Sequence, residues 1–166
     1  MDYGPEPFVI KIDWEAGQNS NYRSALWTGE NMQVVLMSME GGQKSELEIH
    51  DTDHFIRIQE GQGVVETGED KNNLSFRVRV SEGYAIMIPA GIWHIVSNIG
   101  NSKLKLYVIY GPPQFPHGTI METNKNRELV CEKKCDIAIN HATSIRTVYF
   151  QSNKVKQLDS FFKRIE

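Results

Sequence analysis

Glu48, His50, His54 and His94 are the residues whose types and spacing best suit metal chemistry in this chain. Imidazole nitrogens and a carboxylate oxygen suit Mn, Fe, Ni, Co or Zn, and ligand type alone does not choose among these ions. In an extended chain, successive side chains alternate between two faces. Residues 48, 50 and 54 share parity, so they reach one face if the chain bends only at 51–53. His94 follows the corner Pro89-Ala90-Gly91 and opens a new apolar stretch, with Val96 on its own face. Taken singly, each histidine reads equally well as a hydrogen-bonded core residue. Together with Glu48 on matched positions, the three point to one divalent metal ion facing a barrel interior.

The elements that must position these groups are short β-type runs. Segments 24–28, 32–39, 47–50, 54–59, 63–67, 74–80, 84–88, 92–97 and 104–110 are rich in Val, Ile, Tyr, Phe and Trp. Gly41-Gly42, Gly61, Gly68-Glu69-Asp70 and Gly100-Asn101 separate them. Many short strands at regular spacing indicate an all-β sandwich or barrel. Three zones follow: a polar lead-in at 1–22 with a loop at 17–21, a β-rich zone at 23–113, and an extension at 114–166. Apolar residues at 155, 158, 161, 162 and 165 predict an amphipathic helix over 155–165.

At 166 residues the chain is long enough for one domain with a substantial core. A net charge of −3 gives no basic footprint for nucleic acid. No stretch approaches the roughly 20 apolar residues of a membrane span. The first residues lack the charged and apolar regions of a secretory signal, which sets the expectation of a cytoplasmic protein. Cys131 and Cys135 read as two reduced thiols on a surface helix or loop. His141 is nearby, but no second pair stands at the spacing of a structural zinc site.

Two segments carry a family resemblance. Gly83, Pro89, Gly91, His94 and Asn98 keep every spacing of the second motif of the cupin superfamily. The segment from Gly42 to Gly61 resembles the first motif with one exchange: Glu48 stands at the first histidine position, His50 at the second, and His54 at the glutamate position. The resemblance spans roughly residues 24–113 and implies an RmlC-like double-stranded β-helix, a small jelly-roll barrel with a short C-terminal helical extension. It implies that Glu48, His50, His54 and His94 hold the metal, and that the chain is a homodimer acting on a small molecule. A sugar or sugar phosphate in an isomerase-like reaction is the first expectation. A metal-dependent dioxygenase or a small-ligand binder without turnover is the alternative.

Other residues read more plainly. Glu60 is an exposed strand-end carboxylate before it is a general base. Arg57 alternates to the face opposite His54. Trp93, Tyr107 and Tyr110 supply aromatic surface for a barrel mouth or a core. The prolines of 111–119 favour an extended segment lying across the barrel instead of joining it, with His117 in a solvated or capping role.

Overall fold

The computed structural model describes Met1–Asn124, which form one compact unit. The predicted helix over 155–165, Cys131, Cys135 and His141 lie outside the described residues. Nine strands follow one short helix: α1 (Ile12–Gln18), β1 (Arg23–Thr28), β2 (Gln33–Met39), β3 (His54–Glu60), β4 (Gln62–Gly68), β5 (Phe76–Ser81), β6 (Ala85–Ile88), β7 (Trp93–Asn98), β8 (Leu104–Tyr110) and β9 (Ile120–Met121). They form a six-stranded sheet in the order β6-β3-β8-β2-β1-β9 and a three-stranded sheet β5-β4-β7. Every pairing is antiparallel. This is the double-stranded β-helix that the strand pattern and the motifs predict.

Strand alternation carries the core. On β3, His54, Ile56 and Ile58 are buried while Phe55 and Arg57 face outward. On β8, Leu104, Leu106, Val108 and Tyr110 point inward, and the last three stand opposite Ile58, Ile56 and His54 of β3. On β7, His94, Val96 and Asn98 are buried on one face. Burying an aliphatic side chain stabilises by about 1.5–3 kcal/mol, so this interior is the main source of cohesion. Asn98 belongs to it structurally: its amide donates to the carbonyls of Met39, Glu40 and Ser102 at 2.8–3.0 Å.

Two expectations are corrected. Segment 47–50 is not a strand; it makes only the isolated bridge Glu48↔His94, because the turn at 51–53 leaves too short a run to propagate a ladder. The lead-in contains α1, and Ala16 joins Leu26, Leu36 and Tyr107 in a cluster flanked by Ile10, Ile12, Phe55 and Ile109. The N-terminal segment therefore covers the outer face of the large sheet. Its seven residues lack a side-chain cap and include Gly17, so the tertiary contact and not propensity makes the helix.

The proline-rich tail lies across the barrel as its prolines predict, with no strand at 111–119. Gln33, fully buried, accepts from the backbone N–H groups of Gln114 and Phe115 and donates to the Phe115 carbonyl, at 2.9–3.1 Å. Beyond Gly118 the chain turns extended again, and β9 pairs with β1, placing Met121 opposite Arg23.

Candidate metal centre

Backbone geometry brings the two motifs together before any side chain does. Glu48 and His94 exchange both backbone hydrogen bonds, at 2.9 and 3.0 Å. Gly91, at φ 76°, adopts a conformation that disfavours other residues, and its N–H donates to the His50 carbonyl at 2.8 Å. Ala90 N–H is received by the Asp53 carboxylate at 2.9 Å. The Pro89-Ala90-Gly91 corner thus fixes the loop that carries His50 and delivers His54 to the start of β3.

The three imidazoles converge. Their ligating atoms lie within 4.8 Å of one another. The His50 and His54 rings meet edge-on with centroids 4.1 Å apart, and Tyr110 packs against His54 at 5.1 Å. Glu48 stands beside them: its Oε2 is 3.5 Å from Nε2 of His50 and 4.0 Å from Nε2 of His94. An ion bonded at about 2.0–2.2 Å sets its donors about 3–4 Å apart, so these separations suit a shared ion. All four residues named from the sequence meet at this place.

Proton accounting tests the fit. A neutral imidazole has one N–H, and the other nitrogen only accepts. Nδ1 of His50 faces Oε1 of Gln114 at 3.3 Å, while Nδ1 of His94 faces the Ile92 carbonyl at 3.2 Å. Gln114 is oriented by donating its own Nε2 to the Pro112 carbonyl at 3.1 Å. Once each Nδ1–H is given to its oxygen, both Nε2 lone pairs point at the Glu48 carboxylate. His54 is more extreme, because both of its ring nitrogens are buried without a partner. Acceptors thus outnumber protons at this point, and a cation resolves the mismatch. Nδ1 bonded to a carbonyl with Nε2 turned inward is also the outer-shell arrangement that orients metal-binding histidines.

Burial sets the protonation states. It pushes His54 down to about 4, with the charges of His50 and His94 adding to the effect. Burial also lowers His94, against the opposing influence of the Ile92 carbonyl and Glu48. Both rings are therefore neutral near pH 7 and ready to donate a lone pair.

Arg23 is the residue that sequence reading missed. Its Nη2 donates to Oε1 of Glu48 at 2.8 Å and approaches Oε2 of Glu46 at 3.4 Å. The guanidinium, 1% exposed, lies over the rings of Phe115 and Tyr22 at 4.9 and 5.4 Å. Burial alone would lower its pKa, but the carboxylate of Glu48 and then Tyr110, Tyr22 and Glu46 hold it above the ordinary value. Glu48 is thereby split between a guanidinium on one oxygen and the histidines on the other. A charged residue heading a strand gives no periodicity signal of its own, and Gln33 and Gln114 gave none either.

The remaining expectations fall away from the centre. Glu60 is exposed near Lys105, and Arg57 donates to the Gly83 carbonyl on the outer face. His117 bonds the Gly4 carbonyl at 2.9 Å. Tyr107 belongs to the outer cluster, and Tyr110 alone of the three aromatic candidates touches the histidines.

Two spaces adjoin the histidines. An enclosed cavity, with about 20 Å3 open to the centre of a water-sized sphere, is walled by Arg23, Glu48, His54, His94 and Tyr110 together with apolar side chains such as Ile56 and Leu106. An open groove of about 490 Å3 shares His54 and Tyr110 and is otherwise lined by residues such as Met32, Phe55, Met87 and Ile109.

The Cupin domain model matches residues 35–110, the stretch that carries all four candidate ligands. The chain belongs to the cupin family. A crystal structure of a Bacillus halodurans protein superposes on this cupin with a TM-score of 0.74 at 52% identity, covering 75% of this chain and 95% of that one. An RmlC-like cupin from Methanocaldococcus jannaschii, described as a double-stranded β-helix, shares the fold at 14% identity with a TM-score of 0.51, over 65% of this chain and 91% of that one. The uncharacterized Bacillus subtilis protein YrkC is 50% identical over 123 residues, 74% of this cupin and 66% of the relative. The chain thus spans about two thirds of that relative's length. No helix among the described residues is long and apolar enough to cross a membrane.

Proposed function

We propose that this cupin binds one divalent metal ion through His50, His54, His94 and Glu48 and acts on a small molecule held beside it. The observation that carries the reading is His54: a ring 4% exposed, neutral at physiological pH, whose two nitrogens have no protein partner. Leaving such a group buried and unsatisfied costs about 1–3 kcal/mol, and coordination through one nitrogen removes part of that cost. A bound ion of this class would supply Lewis acidity toward a substrate oxygen or a place to bind dioxygen. The protein's own part is to fix the ligands: Gln114 and the Ile92 carbonyl aim His50 and His94, and Arg23 keeps Glu48 ionised and turned.

Substrates of sugar or sugar phosphate size suit the open groove, whose volume lies in the usual range of about 300–1,000 Å3 for small-molecule sites. They exceed the enclosed cavity. The groove brings such a molecule to His54 and Tyr110, and an isomerase-like reaction is the first to test.

Metal content of protein purified without chelator is the primary measurement, compared with His54→Ala and His94→Ala. Wild type should hold close to one ion per chain and both variants far less. Undiminished metal in both variants would overturn the site. Turnover is then sought with sugar phosphates, diketones and catechols after Mn, Fe, Ni, Co or Zn is added back. Activity on a sugar phosphate that disappears in His50→Ala supports the isomerase. Oxygen consumption with a diketone or catechol would move the assignment to a dioxygenase, and thermal stabilisation without turnover would move it to a binder.

A further inference from the structure

Asp2 ties three segments together, and its side chain is fully buried. One carboxylate oxygen accepts from the Thr28 hydroxyl at 2.6 Å and from the Gly118 N–H at 2.9 Å. The other accepts from the Gly4 N–H at 3.1 Å. Burial alone would raise the Asp2 pKa, but these bonds hold it below the ordinary carboxylate value, so the group stays charged at neutral pH. Residues 2–4 lie tightly on the end of β1. The Tyr3 N–H donates to the Leu26 carbonyl at 2.9 Å, and a Cβ on Gly4 would fall 2.2–2.6 Å from backbone atoms of Thr28.

Polarity passes along a chain from this carboxylate. A carboxylate only accepts, so the Thr28 hydroxyl donates to it and turns a lone pair to Gln33. Nε2 of Gln33 meets that lone pair at 2.8 Å, which sends Oε1 of the same amide to the N–H groups of Gln114 and Phe115. Both residues belong to the strap at 112–118, and Gly118 at its far end is held by Asp2 directly. With its backbone fixed at both places, the strap sets the Gln114 amide against Nδ1 of His50 at 3.3 Å. A strap held by apolar contacts alone could slide, whereas a satisfied polar network admits one arrangement. Every member from Asp2 to Gln114 lies outside residues 35–110, the shared cupin domain, so the relay is built around that domain and not within it.

We propose that Asp2 is a positioning residue for the candidate metal centre, acting through Thr28, Gln33 and the strap to keep Gln114 on Nδ1 of His50. Its effect on the ion rests on the metal reading above; its effect on the His50 ring does not. The relay fixes the tautomer in which His50 carries its proton on Nδ1 and turns the Nε2 lone pair inward. A residue that touches none of the ligands thereby sets how tightly the ion is held.

NMR of the histidine ring nitrogens in the metal-free full chain tests the relay, at about pH 8, where an ordinary histidine is neutral. Wild type should show His50 as a single Nδ1–H tautomer. Asp2→Ala and Thr28→Val should each mix the two tautomers at His50, while Thr28→Ser keeps the hydroxyl and should match wild type. His94 is the internal control, since its Nδ1 faces the Ile92 carbonyl and not the strap. The double variant Asp2→Ala/Thr28→Val should add little to either single change, as residues acting in series do. Competition with a chelator then reads the ion: Asp2→Ala and Thr28→Val should lose affinity several-fold, toward the loss of about tenfold at the lower end for outer-shell groups. An unchanged His50 in both variants overturns the relay. A matching change at His94 means general loosening and overturns the positioning role as well. Mixed His50 tautomers with affinity intact overturn the effect on the ion. If wild type takes up no ion, the metal reading fails instead, and the His50 tautomer alone decides the relay. Should Asp2→Ala fail to fold, Thr28→Val against Thr28→Ser decides it.

Discussion

Replacing His54 by phenylalanine in the metal-free protein should flatten the acid limb of its stability curve. His54 has an ordinary value of 6.5, and burial holds it at about 4 in the folded protein. Between these values the unfolded chain binds a proton that the folded chain refuses, so stability rises with pH across the window. The contribution is fully present above about pH 6.5 and is lost as the pH falls toward 4. At about 1.4 kcal/mol for each pH unit separating the two values, the full contribution is about 3 kcal/mol, of which about 2 kcal/mol falls between pH 7 and 4.5. Urea unfolding with chelator present, at several pH values across that range, measures it. Wild type should lose about 2 kcal/mol more than His54→Phe over the interval. Only the slopes are compared, because the larger ring also alters packing. The lowered His94 contributes in the same direction to both proteins and cancels to first order. Parallel curves would refute the argument, since they would mean that His54 is hydrated and titrates as in the unfolded chain.

Three further outcomes follow from the same contacts. Gln114→Ala removes the oxygen that faces His50 Nδ1 and should weaken metal affinity about 10–100-fold, read by competition with a chromophoric chelator. Glu48→Gln takes the charge from the carboxylate that pairs with buried Arg23 and should destabilise the metal-free protein by about 3–5 kcal/mol in urea unfolding. A change under about 1 kcal/mol would show that Arg23 is compensated elsewhere. Gln33→Ala leaves the backbone groups of Gln114 and Phe115 without partners and should cost about 1–3 kcal/mol. It should also speed hydrogen exchange at the Gln114 and Phe115 amides before it affects those of β8.

The sequence made the barrel legible because its strands alternate and its glycines fall where turns need them. Gly91 is the clear case: its position two residues after Pro89 marks a corner, and the structure gives that corner a positive φ and a bond to His50. The convergence of the candidate ligands was legible for the same reason, as residues 48, 50 and 54 reach one place despite the bend. What was not legible depends on contacts between segments remote in sequence. Nothing in the sequence marks Arg23, and only the approach of Glu48, Phe115 and Tyr22 makes it a buried partner. The helix α1 has weak propensity and exists because Ala16 finds Leu26, Leu36 and Tyr107. Leu47 and Ile49 alternate as a strand would, yet both are exposed and their segment forms no ladder.

The strap at 112–116 has a consequence for the order in which this molecule assembles. Gln114 reaches His50 across 64 positions and Phe115 reaches Gln33 across 82. The pairings of β2 with β8 run from Met39↔Leu104 to Gln33↔Tyr110, so the strap closes over the same range of chain as the sheet it crosses. Contacts of such separation form late, since the entropy of closing a long loop must be met before they contribute. The candidate ligands therefore converge only as the barrel itself closes. An ion bound there would meet a socket the chain has already built, unlike the zinc that folds a small finger domain.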